Sequence, residues 1–176
     1  MRTETRRQML VVLSVIFLFL LSCASTPRKE TELGNAEAYY NRGLTYGEKG
    51  KYDQAISDFT KALELNPGDA RAYDRRGFAY GKKGQYEQAI SDFTKALEIN
   101  PKVADAYYNR GVAYAKKSQY DQAISDYTRA LEINPKFAEA YYNRGVAYGR
   151  KGQLDRAMED YTRALEIDPK LAERRR

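Results

Sequence analysis

Carboxylates are the most abundant groups in this chain that could carry chemistry, and they recur every 34 residues. A general acid and a general base form one pair in one site, so a catalytic pair should interrupt a repeat and not follow it. We therefore interpret these carboxylates as solvated charges and as partners in charge pairs along helices. They are Asp58, Asp92, Asp126 and Asp160, and Glu64, Glu98, Glu132 and Glu166.

The residue types that most enzymes and metal sites need are scarce. The 176-residue chain has no histidine and one cysteine, Cys23. This excludes histidine-based catalytic triads and histidine metal sites, and no thiol remains if Cys23 is acylated. The glycines do not form a phosphate-binding loop. The sequence therefore predicts a protein that is not an enzyme and that uses no cofactor and no metal ion.

The same interval organises the body of the chain. A proline preceded by asparagine or aspartate closes each copy, and the clearest copy runs from Ala106 to Pro135. A strict period of 34 residues indicates stacked helical hairpins and an all-α solenoid. The four predicted units are 36–69, 70–103, 104–137 and 138–171.

Each unit has the pattern of two amphipathic helices. In the third unit we place the first helix from Ala104 to about Lys117 and the second from about Tyr120 to Ile133. The closing proline ends the second helix because it disfavours helical backbone at the residue before it. Glycine occupies the turn between the helices of the other units, where left-handed backbone costs it little, so Ser118 should be slightly strained there. The turn glycines are Gly50, Gly84 and Gly152.

A glycine recurs in the middle of each first helix, although it costs roughly 1 kcal/mol there relative to alanine. Its recurrence at one register indicates that no side chain fits where the partner helix crosses. A small alanine on the second helix supplies the opposite surface, and an aromatic residue follows it one turn later. The glycines are Gly43, Gly77, Gly111 and Gly145, the alanines are Ala55, Ala89, Ala123 and Ala157, and the aromatics are Phe59, Phe93, Tyr127 and Tyr161.

These small, aromatic and proline positions resemble the tetratricopeptide repeat (TPR). Tyrosine stands where the family often has tryptophan, and arginine stands where it often has leucine. The resemblance implies a right-handed superhelical solenoid of four helix-turn-helix hairpins whose first helices line a groove for a partner. The arginines are Arg42, Arg76, Arg110 and Arg144.

The first segment has the composition of an export signal. Arg2, Arg6 and Arg7 precede the apolar run 10–21, which would span roughly 18 Å as a helix. A bilayer core needs about 20 apolar residues, so the run is short for a membrane span. A basic start, a short apolar run and then small residues are typical of a cleaved signal peptide.

The segment 20–23 (sequence LLSC) resembles the lipobox of bacterial lipoproteins, in which the cysteine is lipidated and becomes the mature N-terminus. The resemblance implies a signal peptide over 1–22, a lipid on Cys23 and a flexible tether over 23–35. Ala24 favours an outer membrane, with the domain facing the periplasm. Two alternatives stay open: a plain secretory signal with an incidental cysteine, and an uncleaved N-terminal anchor.

Two neighbouring residues of each first helix are predicted to face the groove, away from the core tyrosines. Stacked units would turn them into a ladder of tyrosines and a ladder of asparagines. An asparagine amide bonds a peptide main chain regardless of its sequence, and tyrosine adds rigid apolar area. The alternative is that both residues are copied by duplication without a binding role. The predicted groove residues are Tyr40, Asn41, Tyr108, Asn109, Tyr142 and Asn143.

The second unit departs from these ladders. Asp74 and Arg75 replace the Tyr-Asn pair, and Arg71 lies one turn earlier. Arg71 and Arg75 could hold a carboxylate together, which is similar to half of the carboxylate clamp of chaperone-binding TPR domains. Tyr40 and Leu44 stand where such a clamp has lysine and asparagine. We therefore interpret the cluster as a local polar site that registers an acidic residue of a partner.

These features favour a non-catalytic scaffold or adaptor that is lipid-anchored in the bacterial envelope and binds a protein segment in its groove. The alternative is a structural lipoprotein that self-assembles as a homo-oligomer, because the basic tail 172–176 stops a fifth unit and leaves apolar surface exposed on the last pair. Nucleic acid is not expected as a partner, because the tyrosines lie at core spacing and the 30 basic residues are mixed with 24 acidic ones.

Overall fold

The computed structural model describes residues 31–171, which form eight α-helices in four consecutive hairpins. This part of the chain contains no β-strand. The predicted signal peptide, Cys23 and the tail 172–176 lie outside the described residues. The helices are α1 (31–48), α2 (Tyr52–Leu65), α3 (Ala70–Lys82), α4 (Tyr86–Ile99), α5 (Ala104–Lys116), α6 (Tyr120–Ile133), α7 (Ala138–Arg150) and α8 (Leu154–Ile167), and a short 3₁₀ helix (Pro169–Leu171) follows α8.

Each helix packs mainly on the helices next to it in sequence. Within the hairpins α3 packs on α4, α5 on α6 and α7 on α8, while α2 packs on α3, α4 on α5 and α6 on α7 between hairpins. The first helices of neighbouring units touch along their edges, as α3 and α5 do. The structure therefore confirms the predicted all-α solenoid, in which each unit is stabilised by its neighbours.

The predicted boundaries agree with the structure to within one residue in the third unit, where α5 ends at Lys116. Ser118 has the left-handed φ of 60° expected at the turn, close to the 75° of Gly84. The predicted end of the flexible tether needs a correction, because residues 31–35 belong to α1.

The mid-helix glycines lie where an aromatic ring crosses the first helix. A Cβ atom on Gly111 would lie 2.8 Å from Cε1 of Tyr127 and 3.3 Å from the carbonyl oxygen of Ala123. Gly43, Gly77 and Gly145 face the equivalent aromatic ring in the same way. The structure thus confirms the predicted reason for these glycines.

The repeated aspartates are not solvated, which corrects the interpretation drawn from the sequence. Asp126 is 4% exposed, and its carboxylate accepts from Nε and Nη2 of Arg110, both at 2.8 Å. The hydrogen bond to this carboxylate raises the pKa of Arg110. The other arginines at this register bind Asp58, Asp92 and Asp160 in the same bidentate way. Arginine thus replaces leucine here because it neutralises a buried carboxylate.

The last hairpin exposes apolar surface, as the sequence predicted. Leu165 of α8 is 40% exposed, whereas its equivalent Leu131 of α6 is 6% exposed beneath α7. Leu154 and Met158 are also exposed. These side chains lie on the face of α8 that carries a following first helix in the other units.

The described helices include none that is both long enough and apolar enough to span a bilayer. Over residues 31–171, no three histidine, cysteine, aspartate or glutamate side chains are placed so that they could hold a metal ion.

The close contact between each mid-helix glycine and an aromatic ring predicts opposite outcomes for two glycine-to-alanine substitutions. Gly111→Ala places a methyl group against Tyr127 and should lower the free energy of unfolding by about 1–3 kcal/mol, because an overpacked core strains its neighbours. Gly47→Ala on α1 meets no atom within 4 Å and should raise it by about 0.5–1 kcal/mol. Urea unfolding followed by circular dichroism measures both. Equal effects of the two substitutions would contradict the steric explanation.

Candidate binding groove

Three clefts lie in a row along the first helices, one between each pair of neighbouring units. Their volumes are about 190 Å³ between α1 and α3, 370 Å³ between α3 and α5, and 430 Å³ between α5 and α7. Phe78 lines the first two clefts, and Val112 lines the second and third. We call this continuous row of clefts the groove.

The floor of the groove is apolar. Phe78 is 39% exposed, which is unusual for a phenylalanine inside a repeat unit. Leu44 and Val146 occupy the equivalent register in the first and third clefts. An exposed apolar floor that continues from unit to unit favours contact with another chain.

A row of cations follows one side of this floor. Lys82 and Lys116 line the second cleft, and Lys116 and Arg150 line the third. The ammonium of Lys82 lies 5.1 Å from the centroid of the Phe78 ring, which holds the charge beside the floor. Glu48 stands at this register in the first cleft, so the charge of the row reverses there. This row was not predicted from the sequence, although basic residues recur at this register every 34 residues.

The predicted asparagines lie in the groove in two of the units. Asn109 lines the second cleft and Asn143 lines the third. The amide of Asn143 donates to the hydroxyl of Tyr108 at 2.9 Å, which ties the two ladders together. Asn41 is exposed on α1, and Arg75 takes the equivalent place in the first cleft.

The predicted tyrosines are less available than the sequence suggested. Tyr40 is 8% exposed, its ring packs 5.8 Å from that of Phe59, and the guanidinium of Arg71 covers it at 4.7 Å. Tyr40 is therefore largely covered and lines none of the three clefts. Tyr108 is half-buried and lines the second and third clefts. Tyr142 is half-buried, with its ring 5.4 Å from that of Tyr161.

The arginines of the second unit are already paired within the chain. Arg71 donates to Glu37 and to Asp69, both at 2.9 Å, and these carboxylates raise its pKa. Arg75 lies 3.7 Å from Asp74. Each arginine therefore already lies beside a carboxylate of this chain, and the joint carboxylate site that their spacing allowed is not formed in the described structure.

Sequence profiles of known families match most of the repeat region. The profile of the tetratricopeptide repeat matches residues 36–69, 104–137 and 138–171, with the same bounds as three of the predicted units. Two further profiles of this repeat match 59–91 and 79–118, which cover the second unit. The chain belongs to the tetratricopeptide repeat family.

Solved structures share the architecture of this TPR chain. A crystal structure of MamA is 34% identical, covers 79% of this chain and 81% of its own, and has a TM-score of 0.75. MamA 41-end from Desulfovibrio magneticus RS-1 is 27% identical over 77% of each chain, with a TM-score of 0.73. The first TPR of Spaghetti (RPAP3), bound to the HSP90 peptide SRMEEVD, is 28% identical over 68% of this chain and 95% of its own, with a TM-score of 0.67. No curated protein matches the chain.

The side chain of Asp74 is 16% exposed, and it lacks a full set of hydrogen-bond partners in the described structure. Burial raises the pKa of Asp74, the charge of Asp105 adds to this, and the charge of Arg75 and the amide of Asn109 oppose it. Its Oδ1 atom is buried without a hydrogen-bond partner. A raised pKa means that the folded protein disfavours the ionised form, so Asp74 costs stability at neutral pH.

Asp74→Asn should therefore raise the free energy of unfolding by about 1 kcal/mol at pH 7, because no charge is then buried. The gain should shrink as the pH falls through the raised pKa and vanish below the ordinary carboxyl value, where the native carboxyl is protonated in both states. Urea unfolding at several pH values measures this difference. The control Glu64→Gln, on an exposed glutamate of α2, should show neither effect. A gain that is independent of pH would contradict a role for the buried charge.

Proposed function

We propose that this TPR protein is a non-catalytic scaffold or adaptor that holds a segment of another protein in the groove. The observation that carries this proposal is the continuity of three clefts, whose shared apolar floor is exposed at Phe78 and flanked by cations. An enzyme would need a distinct catalytic constellation, whereas the four buried aspartates that recur in the repeat are each paired with an arginine.

The chemistry of the groove favours a segment that combines apolar and acidic side chains. Apolar side chains of the segment would contact Phe78 and Val112, and its carboxylates would pair with Lys82 and Lys116. The amide of Asn109 would bond its main chain regardless of sequence. Charge complementarity would then select the partner, and the apolar floor would supply most of the affinity.

The first TPR of Spaghetti (RPAP3) is bound to a peptide, SRMEEVD, which carries three carboxylate side chains and two apolar ones, and this supports a segment of that chemistry as the partner. This chain would meet the carboxylates differently. Its second-unit arginines are paired with its own carboxylates, so the row formed by Lys82, Lys116 and Arg150 would take the acidic groups.

We further propose that the chain is exported and anchored to a bacterial envelope membrane through a lipid on Cys23. The support is the sequence of the segment 1–23, in which a basic start and a short apolar run precede the only cysteine. Two or more acyl chains would hold the protein stably at a membrane. An outer membrane, with the domain in the periplasm, is the location that Ala24 favours.

A second candidate function is structural. The exposed apolar face of α8, formed by Leu154, Met158 and Leu165, favours self-assembly of the chain through its last unit.

Peptide binding tests the charge of the groove. The full chain should bind SRMEEVD about fivefold or more tightly than a counterpart with lysine at its three acidic positions, and this preference should fall with added salt. Lys82→Glu with Lys116→Glu should reverse the preference, whereas the control Lys102→Glu, exposed between α4 and α5, should keep it. Fluorescence anisotropy of labelled peptides measures each affinity. The absence of any charge preference would contradict the proposal.

The proposed contacts of Asn109 and Asn143 with the main chain predict a different change in the affinities of the same two peptides. Asn109→Ala with Asn143→Ala should weaken both peptides to a similar degree, because an amide that bonds the main chain does not read side-chain charge. A change in the ratio of the two affinities would show that the asparagines read side chains instead.

Lipid anchoring is tested by the intact mass of the protein recovered from the membrane fraction of the producing bacterium. The expected mass is that of residues 23–176 plus acyl chains, and Cys23→Ala should abolish the acylated form. A chain that retains residues 1–22 would indicate an uncleaved anchor. A chain cleaved without added lipid would indicate a plain secretory signal.

A further inference from the structure

The three junctions between successive units share one hydrogen bond. At each junction, an arginine on the first helix of the later unit contacts a threonine on the second helix of the earlier unit. Nη1 of the arginine donates to the threonine hydroxyl at 3.0 Å. The pairs are Arg76 to Thr60, Arg110 to Thr94, and Arg144 to Thr128. The arginine therefore joins its own hairpin, through the aspartate, to the previous one.

The same junctions share an ion pair. At each junction, the lysine just after the first helix of the later unit pairs with a carboxylate at the start of the second helix of the earlier unit. Lys117, for example, lies 2.8 Å from the carboxylate of Glu87. Lys83 pairs with Asp53 and Lys151 with Asp121 in the same way. The apolar part of the junction is a leucine buried with an alanine of the following helix, as Leu131 is with Ala140.

Each end of the array carries one half of this junction. Helix α8 presents Asp155, Thr162 and Leu165, which are the equivalents of the carboxylate, threonine and leucine at the internal junctions, and all three are exposed. The hydroxyl of Thr162 donates to the carbonyl of Met158, just as Thr128 donates to Ile124, but in the described structure no arginine donates to it.

Helix α1 and the turn after it carry the complementary half. Ala38, Arg42 and Lys49 are the equivalents of the alanine, arginine and lysine, and all three are exposed. The side chain of Arg42 is 55% exposed, whereas that of Arg110 is 18% exposed. In the described part of the chain, Lys49 and Asp155 are without an ion-pair partner, although both have the charge that the junction requires.

We infer that α8 of one copy binds α1 of a second copy, so that the junction between units continues from chain to chain. Arg42 of the second copy then donates to Thr162, Lys49 pairs with Asp155, and Leu165 is buried by Ala38. The contact joins two different surfaces and repeats the geometry of the internal junctions, so the copies continue the open solenoid as a linear series. This inference identifies the surfaces for the structural candidate function and does not depend on ligand binding in the groove.

A second copy fits these surfaces better than an unrelated partner does. Each end of the array lacks the partner for one hydrogen bond, one ion pair and one apolar contact of the internal junctions. The groups that one end lacks are those that the other end carries. Pairing of α8 with α8 would also bury Leu165. It would not bring Asp155 to Lys49, however, and Arg42 would remain outside the contact.

Two single-end variants of the full chain test this arrangement by sedimentation velocity in a non-ionic detergent. The native chain should form species beyond a dimer as its concentration rises. Ala38→Asp and Leu165→Asp should each weaken association about tenfold or more, because each buries an unpaired carboxylate at one end. An equimolar mixture of the two variants should form dimers and nothing larger, because each variant keeps the opposite end intact. The control Ser91→Asp, on an exposed position of α4, should assemble like the native chain.

Circular dichroism of each variant verifies the helical fold, which both exposed positions should preserve. Dimers of Ala38→Asp alone would indicate α8-to-α8 pairing, which would overturn this inference and keep self-assembly. A native chain that stays monomeric at every concentration would overturn both. Mixed variants that stay monomeric while the native chain assembles would also exclude the α8-to-α1 contact.

Discussion

The contact between an aromatic ring and a glycine backbone is the constraint on which this solenoid depends. Because Gly111 has no side chain, the ring of Tyr127 lies directly on α5, and the two helices of the hairpin approach closely. That approach brings Asp126 within reach of two guanidinium nitrogens of Arg110. The guanidinium, held in this way, reaches Thr94 on the previous hairpin. The close contact at the glycine therefore positions the ion pair, and the arginine of that ion pair positions one unit against the previous one.

Much of the architecture was predictable because each of its causes is local and repeated. Proline and turn residues determine where the helices end, and the positions of the mid-helix glycines show where two helices cross. The aspartates were misinterpreted because charge pairs were sought along one helix, whereas Arg110 and Asp126 lie 16 residues apart on different helices. The signal was present, since every unit keeps an arginine and an aspartate at this separation. A constant separation across copies identifies contacts that no single copy reveals.

The groove was predicted in part, and helix geometry explains the division. Asn109, Val112 and Lys116 are spaced by three and four residues, so they form one stripe along α5. Tyr108 is offset from that stripe by about 100°, so its ring turns towards the core while its hydroxyl meets Asn143. The burial of Tyr40 was not predictable from this pattern, because it depends on the guanidinium of Arg71, whose position is set by Glu37 and Asp69.

Repetition also gives the array a direction, and this direction bears on both proposed surfaces. The groove is basic along Lys82, Lys116 and Arg150 but carries Glu48 in the first unit, so an acidic segment would be favoured along the last three units and repelled at the first. The junction is likewise polar, because arginine and lysine always belong to the following helix and threonine and the carboxylate to the preceding one. If copies join through this junction, every groove in the series points the same way. An extended partner could then pass from one copy to the next without reversing, which an α8-to-α8 dimer would forbid.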